Sequence, residues 1–234
     1  MEASARTDVG LVRAVNEDSY LLGDVLFAVA DGLGGHEAGE IASKMAVDML
    51  GEYPFLGQGN PVDKLREAFQ KINTTIYRYS ENERGCKGMG TTLTALFIQD
   101  CTAYIGHVGD SRAYLIRDKV IYQLTEDDSV VAGLVKMGAL TESEARVHPQ
   151  RNLLTRAVGT LPTVDIEIIK ERIKPGDRFI LCTDGLSGVI NDSDILNIVR
   201  SEQAPAAVVD RLVTLANQNG GYDNVTVIAV FTGT

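Results

Sequence analysis

Four short apolar runs, spread from residue 25 to residue 231, each abut an aspartate that sits beside a glycine or an asparagine. Residues 25–30 lead into Asp31-Gly32, residues 103–108 into Gly109-Asp110, and residues 179–183 into Asp184-Gly185. The fourth run, 225–231, is opened by Gly221-Tyr222-Asp223-Asn224. Short apolar runs bounded by turn-forming residues read as strands. Strand ends are where a rigid scaffold can aim side chains at one point. Four carboxylates meeting there would repel one another unless cations lay between them. Carboxylate oxygens are hard ligands, which points to magnesium, manganese or calcium rather than zinc. The pattern is that of a metal enzyme.

The segments between these strands predict both helices and further strands. Ile41, Ala42, Met45, Ala46, Met49 and Leu50 have helical spacing over about 38–50, and Leu65, Ala68, Phe69, Ile72 and Ile76 do over about 62–82. The glycines and prolines of 51–61 make the loop between them. Strands at about 91–99, 101–108, 111–117 and 119–124 are joined by turns too short for crossovers, which predicts an antiparallel meander. Residues 129–158 carry short helical patterns, a capping box Thr141-x-x-Glu144 and a break at His148-Pro149. Strands at 163–170 and 178–183, helices at 192–200 and 205–218 and a strand at 223–231 complete an α+β layered sandwich.

At 234 residues and 44% hydrophobic, the chain has enough apolar material for one sizeable domain, 1–234. It contains no apolar run of membrane-spanning length, and its start lacks the basic and apolar blocks of a signal peptide. Cys86, Cys101 and Cys182 are too scattered for a disulfide framework or a zinc knuckle, so a cytoplasmic location is expected. A formal charge of −10 argues against nucleic acid and anionic membranes as partners. Two or three divalent cations would offset about half of it.

Other chemistries fail on single residues. Asp-Gly alone is most often a hairpin turn, but two copies directly after apolar strands weaken that reading. The segment from Asp31 to His36 is similar to a phosphate-cradling glycine loop, yet Glu37 stands where a dinucleotide fingerprint needs its third glycine. No lysine follows a glycine, so a Walker loop is excluded. A cysteine phosphatase needs arginine six residues after its thiolate; the residues there are Thr92, His107 and Gly188. Gly185-Leu186-Ser187-Gly188 is followed by Val189, which rules out a nucleophile elbow.

Six signatures in order carry a resemblance. They are Thr7-Asp8-Val9-Gly10 through Arg13 to Asn16-Glu17-Asp18, then Asp31-Gly32-Leu33-Gly34-Gly35-His36, then Gly88-Met89-Gly90-Thr91-Thr92. His107-Val108-Gly109-Asp110-Ser111-Arg112, Thr183-Asp184-Gly185 and Gly221-Tyr222-Asp223-Asn224 follow. Together they resemble the bacterial metal-dependent Ser/Thr protein phosphatases of type 2C, over essentially the whole chain.

The resemblance implies a four-layer α-β-β-α sandwich: two central antiparallel sheets flanked by helices, with a flap subdomain at about 129–158. It implies a cleft holding Mn2+ or Mg2+ as two core ions and a third. Asp31 is the candidate to bridge both core ions, with the Gly32 carbonyl as a further ligand, and Asp184 and Asp223 complete a shell. Asp110 with Asp184 matches the additional ion's site, and Glu17 and Asp18 reach metal through water. Two adjacent ions would acidify a water for in-line attack at phosphorus, in one of the slowest hydrolyses known in water. Arg13 offers phosphate a bidentate fork, and Asn224 is expected to orient Asp223; His36 is the candidate proton donor to the leaving oxygen, the alternatives being a cap on the next helix or a substrate contact. His107 reads as a core residue and His148 as a loop residue.

One residue departs from the pattern. Bacterial relatives commonly show Asp-His-Ser where this chain has Asp127-Asp128-Ser129, so Asp128 is expected to add negative charge beside the cleft. The implied activity is removal of phosphate from phosphoserine and phosphothreonine in proteins, by a monomer opposing a cytosolic Ser/Thr kinase. The alternatives are a regulatory phosphatase dedicated to an anti-sigma-factor antagonist and a non-catalytic, metal-stabilised binding module.

Overall fold

The structure, a computed structural model, describes residues 1–34 and 38–233. Eleven strands among these residues form two antiparallel sheets. In one, β1 (Glu2–Asp8), β11 (Val225–Phe231), β10 (Arg178–Cys182), β7 (Arg112–Arg117) and β8 (Val120–Gln123) lie in that order. In the other, the order is β2 (Asp18–Leu22), β3 (Leu26–Leu33), β5 (Leu93–Gln99), β6 (Thr102–Val108) and β9 (Glu167–Arg172). The two-residue β4 (Gly90–Thr91) extends the second sheet by pairing with the end of β3.

The central strands show almost no polar alternation because both of their faces are buried. On β3, Phe27 and Val29 point between the sheets, toward Phe179, Leu181, Ile228 and Val230 of the opposite layer. Leu26, Ala28 and Ala30 point the other way, onto the helices. There α1 (Gly39–Glu52) and α2 (Pro61–Asn82) cover the sheet with Ala42, Ala46, Leu50, Leu65, Phe69, Ile72 and Ile76. The opposite sheet is covered by α6 (Asp192–Ser201) and α7 (Pro205–Gln218), through Ile195, Val199, Val208, Leu212 and Val213. The α-β-β-α sandwich expected from the resemblance is the fold observed. Helix starts follow local chemistry: Asn60 caps α2 by accepting from Val62 N, with Pro61 at the first helical position.

Between β8 and β9 the chain makes a long excursion with α3 (Val130–Lys136) and α4 (Glu142–Val147), the latter carrying the expected capping box. Its base is pinned where Val130 N donates to Leu153 O and Thr155 N to Asp128 O. The remaining helix, α5 (Asp184–Ser187), is a single turn directly after β10.

Three expectations need correction. The meander over 91–124 is instead two hairpin pairs in different sheets: β5 pairs with β6, β7 with β8, and β6 turns its other edge to β9. The chain crosses between layers at Gly109, whose φ of +112° only glycine adopts without strain. A turn within a sheet and a crossing between sheets use the same residues, so the sequence could not separate them. Asp31-Gly32 does not end its strand, because β3 continues to Leu33. Gly32 is required by close packing rather than by a turn; a Cβ there would lie 2.2 Å from Gly39 O. Finally, the strand expected at 163–170 spans Glu167–Arg172, since Val164 and Ile166 pack with the α2 cluster and Gln70 Nε2 donates to Val164 O. No helix among the described residues is long and apolar enough to cross a membrane.

Candidate metal and phosphate site

Both sheets deliver carboxylates to one edge of the sandwich. Asp18 opens β2 and lies directly opposite Asp31 of β3 in the antiparallel register. Asp184 is the first residue of α5, immediately after β10, and Asp223 precedes β11, the neighbour of β10. Asp110 sits in the crossing from β6 to β7. Their mutual influence shows in their protonation. Burial, followed by the charges of Asp18, Asp184, Asp110 and Asp223, holds the Asp31 carboxyl well above the ordinary range. Burial likewise raises Asp110 strongly, with Asp184 as the next cause. Asp18 is pushed up to about 7, mainly by burial, against the opposing hydroxyls of Thr226 and Thr183. Asp184 is pushed up to about 6 by burial and then by Asp223, and a hydrogen bond with Asp31 partly relieves it.

Neighbouring polar groups fix this edge. Thr91 Oγ1 and Thr92 N donate to Asp31 O, at 2.8 and 2.9 Å, while Thr92 Oγ1 accepts from Asp31 N at 2.9 Å. The two threonines therefore grip the Asp31 peptide on both sides, and Thr92 Oγ1 continues to Ser111 Oγ at 2.7 Å. Asp18 Oδ2 accepts from the hydroxyls of Thr183 and Thr226, at 2.8 and 2.7 Å. The Asn224 side chain serves the loop before β2 rather than Asp223, contrary to expectation: Nδ2 donates to Val9 O and Val15 O, and Oδ1 accepts from Glu17 N. It is the Asn224 backbone N–H that reaches Asp223 Oδ1, at 2.9 Å.

Arg13 leans on Asp223, with Nη2 donating to Oδ2 at 2.8 Å. His36 lies outside the described residues. His107 is a satisfied core residue, bonded to Thr94 Oγ1 and Glu126 O, and burial lowers its pKa. His148 accepts from Gln150 N within its own loop. Asp128 does not add a free charge to the cleft. It is buried, its Oδ1 bonded to Arg156 Nε at 2.8 Å and its Oδ2 to Gly109 N at 3.0 Å. Glu40 went unnoticed in the sequence; it raises the Glu17 pKa, after burial, and its Oε2 is buried without a partner. Its place in the first turn of α1, right after the Asp31 glycine loop, was the available signal.

The chemistry of this edge suits divalent cations. Asp18 Oδ1 and Asp184 Oδ1 are buried with no hydrogen-bond partner, a costly state for carboxylate oxygens unless a cation, or a water bound to one, faces them. The donors are hard oxygens throughout. Among the described residues no three acidic, histidine or cysteine side chains form a finished ligand set for one ion. The reason is visible in the hydrogen bonds, since Asp223 is turned to Arg13 and Asn224 N, and Asp18 to its two threonines.

A four-layer sandwich with buried carboxylates gathered at one edge, and an arginine beside them, is the architecture of a metal-dependent phosphatase. The family model described as protein phosphatase 2C matches residues 13–227, and the chain belongs to that family. It is 42% identical over 226 residues to the serine/threonine protein phosphatase PstP of Mycobacterium tuberculosis, covering 96% of this chain and 44% of that protein. The chain thus spans less than half the length of that mycobacterial relative. It is 37% identical over 240 residues to the serine/threonine phosphatase stp of Listeria monocytogenes, covering 98% of this chain and 95% of the relative. The PstP catalytic domain in complex with two manganese ions superposes with a TM-score of 0.91 at 40% identity, over 98% of this chain and 97% of that one. Stp1 of Staphylococcus aureus gives a TM-score of 0.94 at 35% identity, over 100% and 95%.

Proposed function

We propose that this chain removes phosphate from phosphoserine and phosphothreonine in proteins, using Mn2+ or Mg2+ held at the carboxylate edge. The observation that carries this reading is the convergence of Asp18, Asp31, Asp184 and Asp223, two of them with orphaned oxygens, beside Arg13. Asp31 and the Gly32 carbonyl would hold two core ions, with Asp184 and Asp223 completing the set; Asp110 with Asp184 would hold a third. Asp18 acts through water, anchored by Thr183 and Thr226. When bound, such ions supply charge neutralisation and acidify water. The protein's part is to hold Asp31 rigid through Thr91 and Thr92, and to present phosphate to Arg13.

Arg13 is half exposed and uses only Nη2 on Asp223, so its planar fork can turn to phosphate oxygens. His36 is the proton donor to the departing serine or threonine oxygen. The excursion over 129–158 acts as a flap beside the cleft of a single domain, 1–234. Its substrates are targets of a Ser/Thr kinase in the cytoplasm, and the enzyme acts as a monomer.

Turnover of p-nitrophenyl phosphate and of a phosphothreonine peptide, with Mn2+ and with EDTA, tests the reading. Activity should require the metal, and Asp31→Ala should lose most of it. Full activity in EDTA, or near-wild-type kcat in Asp31→Ala, would overturn the assignment.

A further inference from the structure

Four large apolar side chains stand out into solvent around Arg13 and Asp223. Leu11 is 69% exposed, Val12 65%, Val15 51% and Tyr222 66%. They lie on two loops that are tied together by backbone. Leu11 N donates to Gly221 O at 2.7 Å, and Asn224 Nδ2 holds Val9 O and Val15 O at 2.9 and 3.0 Å. The Leu11 side chain also lies against the second loop, since a Cβ on Gly221 would be 2.8 Å from Leu11 Cγ. The loops are therefore fixed by hydrogen bonds while their apolar tips face water. In a chain of net charge −10, where polar residues for such a loop are abundant, grouped exposed apolar side chains mark a surface that something covers.

We infer that Leu11, Val12 and Tyr222 form a docking rim for apolar side chains that flank the phosphorylated residue in a substrate polypeptide. The inference rests on the phosphatase reading and adds a substrate class to it. Continuity with the phosphate site selects this occupant. Val12 adjoins Arg13 and Tyr222 adjoins Asp223, the residue that Arg13 touches. A polypeptide advances about 3.3–3.6 Å per residue, so a phosphoresidue held at Arg13 brings its immediate neighbours over this rim. Tyrosine supplies broad contact area at small entropic cost, and an apolar rim excludes water from the ionic contact beside it.

Phosphothreonine peptides flanked on both sides by glycine, by leucine or by glutamate separate the outcomes, with p-nitrophenyl phosphate and Mn2+ as the reference reaction. Wild type should show kcat/KM about tenfold higher for the leucine-flanked than for the glycine-flanked peptide, mostly through KM. Leu11→Ser with Val12→Ser, and separately Tyr222→Ser, should reduce that ratio to within about twofold while the glycine-flanked constants hold. Turnover of p-nitrophenyl phosphate without any leucine preference overturns the rim and leaves the phosphatase reading intact, as does a preference that survives both sets of substitutions. A concentration-dependent dimer in sedimentation velocity that Leu11→Ser with Val12→Ser abolishes would make the patch a self-contact and overturn the inference. Failure to hydrolyse p-nitrophenyl phosphate at all would sink the phosphatase reading itself.

Discussion

Asp18 makes the stability of the metal-free protein depend on pH in an unusual direction. Its carboxyl is buried, Oδ2 takes two threonine hydroxyls and Oδ1 takes nothing, so burial pushes its pKa from an ordinary 3.8 up to about 7. The folded chain therefore keeps a proton that the unfolded chain has already released. Its contribution to stability is complete below 3.8 and is lost as pH rises through about 7. At about 1.4 kcal/mol per pH unit, the whole span corresponds to on the order of 4 kcal/mol, of which roughly 2–3 kcal/mol falls between pH 5 and 7. That is a sizeable fraction of the 5–15 kcal/mol, roughly, that holds a domain folded. Asp18→Asn keeps the shape and both hydroxyl bonds, mimics the protonated acid and cannot ionise. Urea unfolding in EDTA at pH 5, 6, 7 and 8 should show Asp18→Asn gaining on wild type by roughly 2–3 kcal/mol between pH 5 and 7. Adding Mn2+ at pH 7 should close the gap. A stability difference that stays constant across this range would refute the reasoning, because it would mean that Asp18 ionises alike in the folded and unfolded chains.

Thr92→Val removes the acceptor of the Asp31 N–H and the partner of Ser111, and should cost about 1–3 kcal/mol in urea unfolding and weaken Mn2+ binding by calorimetry, with Thr92→Ser restoring both. Arg13→Ala should raise KM for phosphate monoesters while urea unfolding shifts by no more than about 1 kcal/mol, because its ion pair with Asp223 is largely solvated. An unchanged KM would move the phosphate contact elsewhere. Arg156→Ala strips the buried Asp128 of its cation and should destabilise the chain by about 1–3 kcal/mol; Asp128→Asn in the same protein should recover part of the loss, as read by thermal unfolding.

What was legible in the sequence was what local patterning encodes. The helices at 39–52 and 61–82 follow from apolar spacing, and the placement of Asp184 after β10 and of Asp223 before β11 follows from short apolar runs meeting turn residues, whereas Asp31 proved to lie inside its strand. Which sheet each strand joins was not legible, because Gly109 turns the chain between layers with the residues that would also turn it within one. The first two strands were missed for a different reason. Glu2–Asp8 holds little more than Ala3 and Ala5 to mark it apolar, and it forms by pairing along the whole of β11. The roles of Thr91 and Thr92 depend on the pairing of β4 with β3, a contact across almost sixty residues that no local pattern carries. Asp128 looked like a surface charge because its cation, Arg156, lies 28 residues further along the chain.

The crossing of carboxylates from both sheets makes the sandwich a calliper. Asp18 and Asp31 ride on one jaw, and Asp184 and Asp223 border the other. The jaw opening is set by the side chains clamped between them, among them Phe27, Val29, Leu181 and Ile228. Metal–oxygen distances tolerate deviations of only about 0.2 Å, whereas a methylene removed from a close-packed interior lets its surroundings shift by comparable amounts. On the proposed reading, side chains that never approach phosphate or cation thus gauge the aperture in which both would sit, and repacking this layer for greater stability would recalibrate the chemistry at its rim.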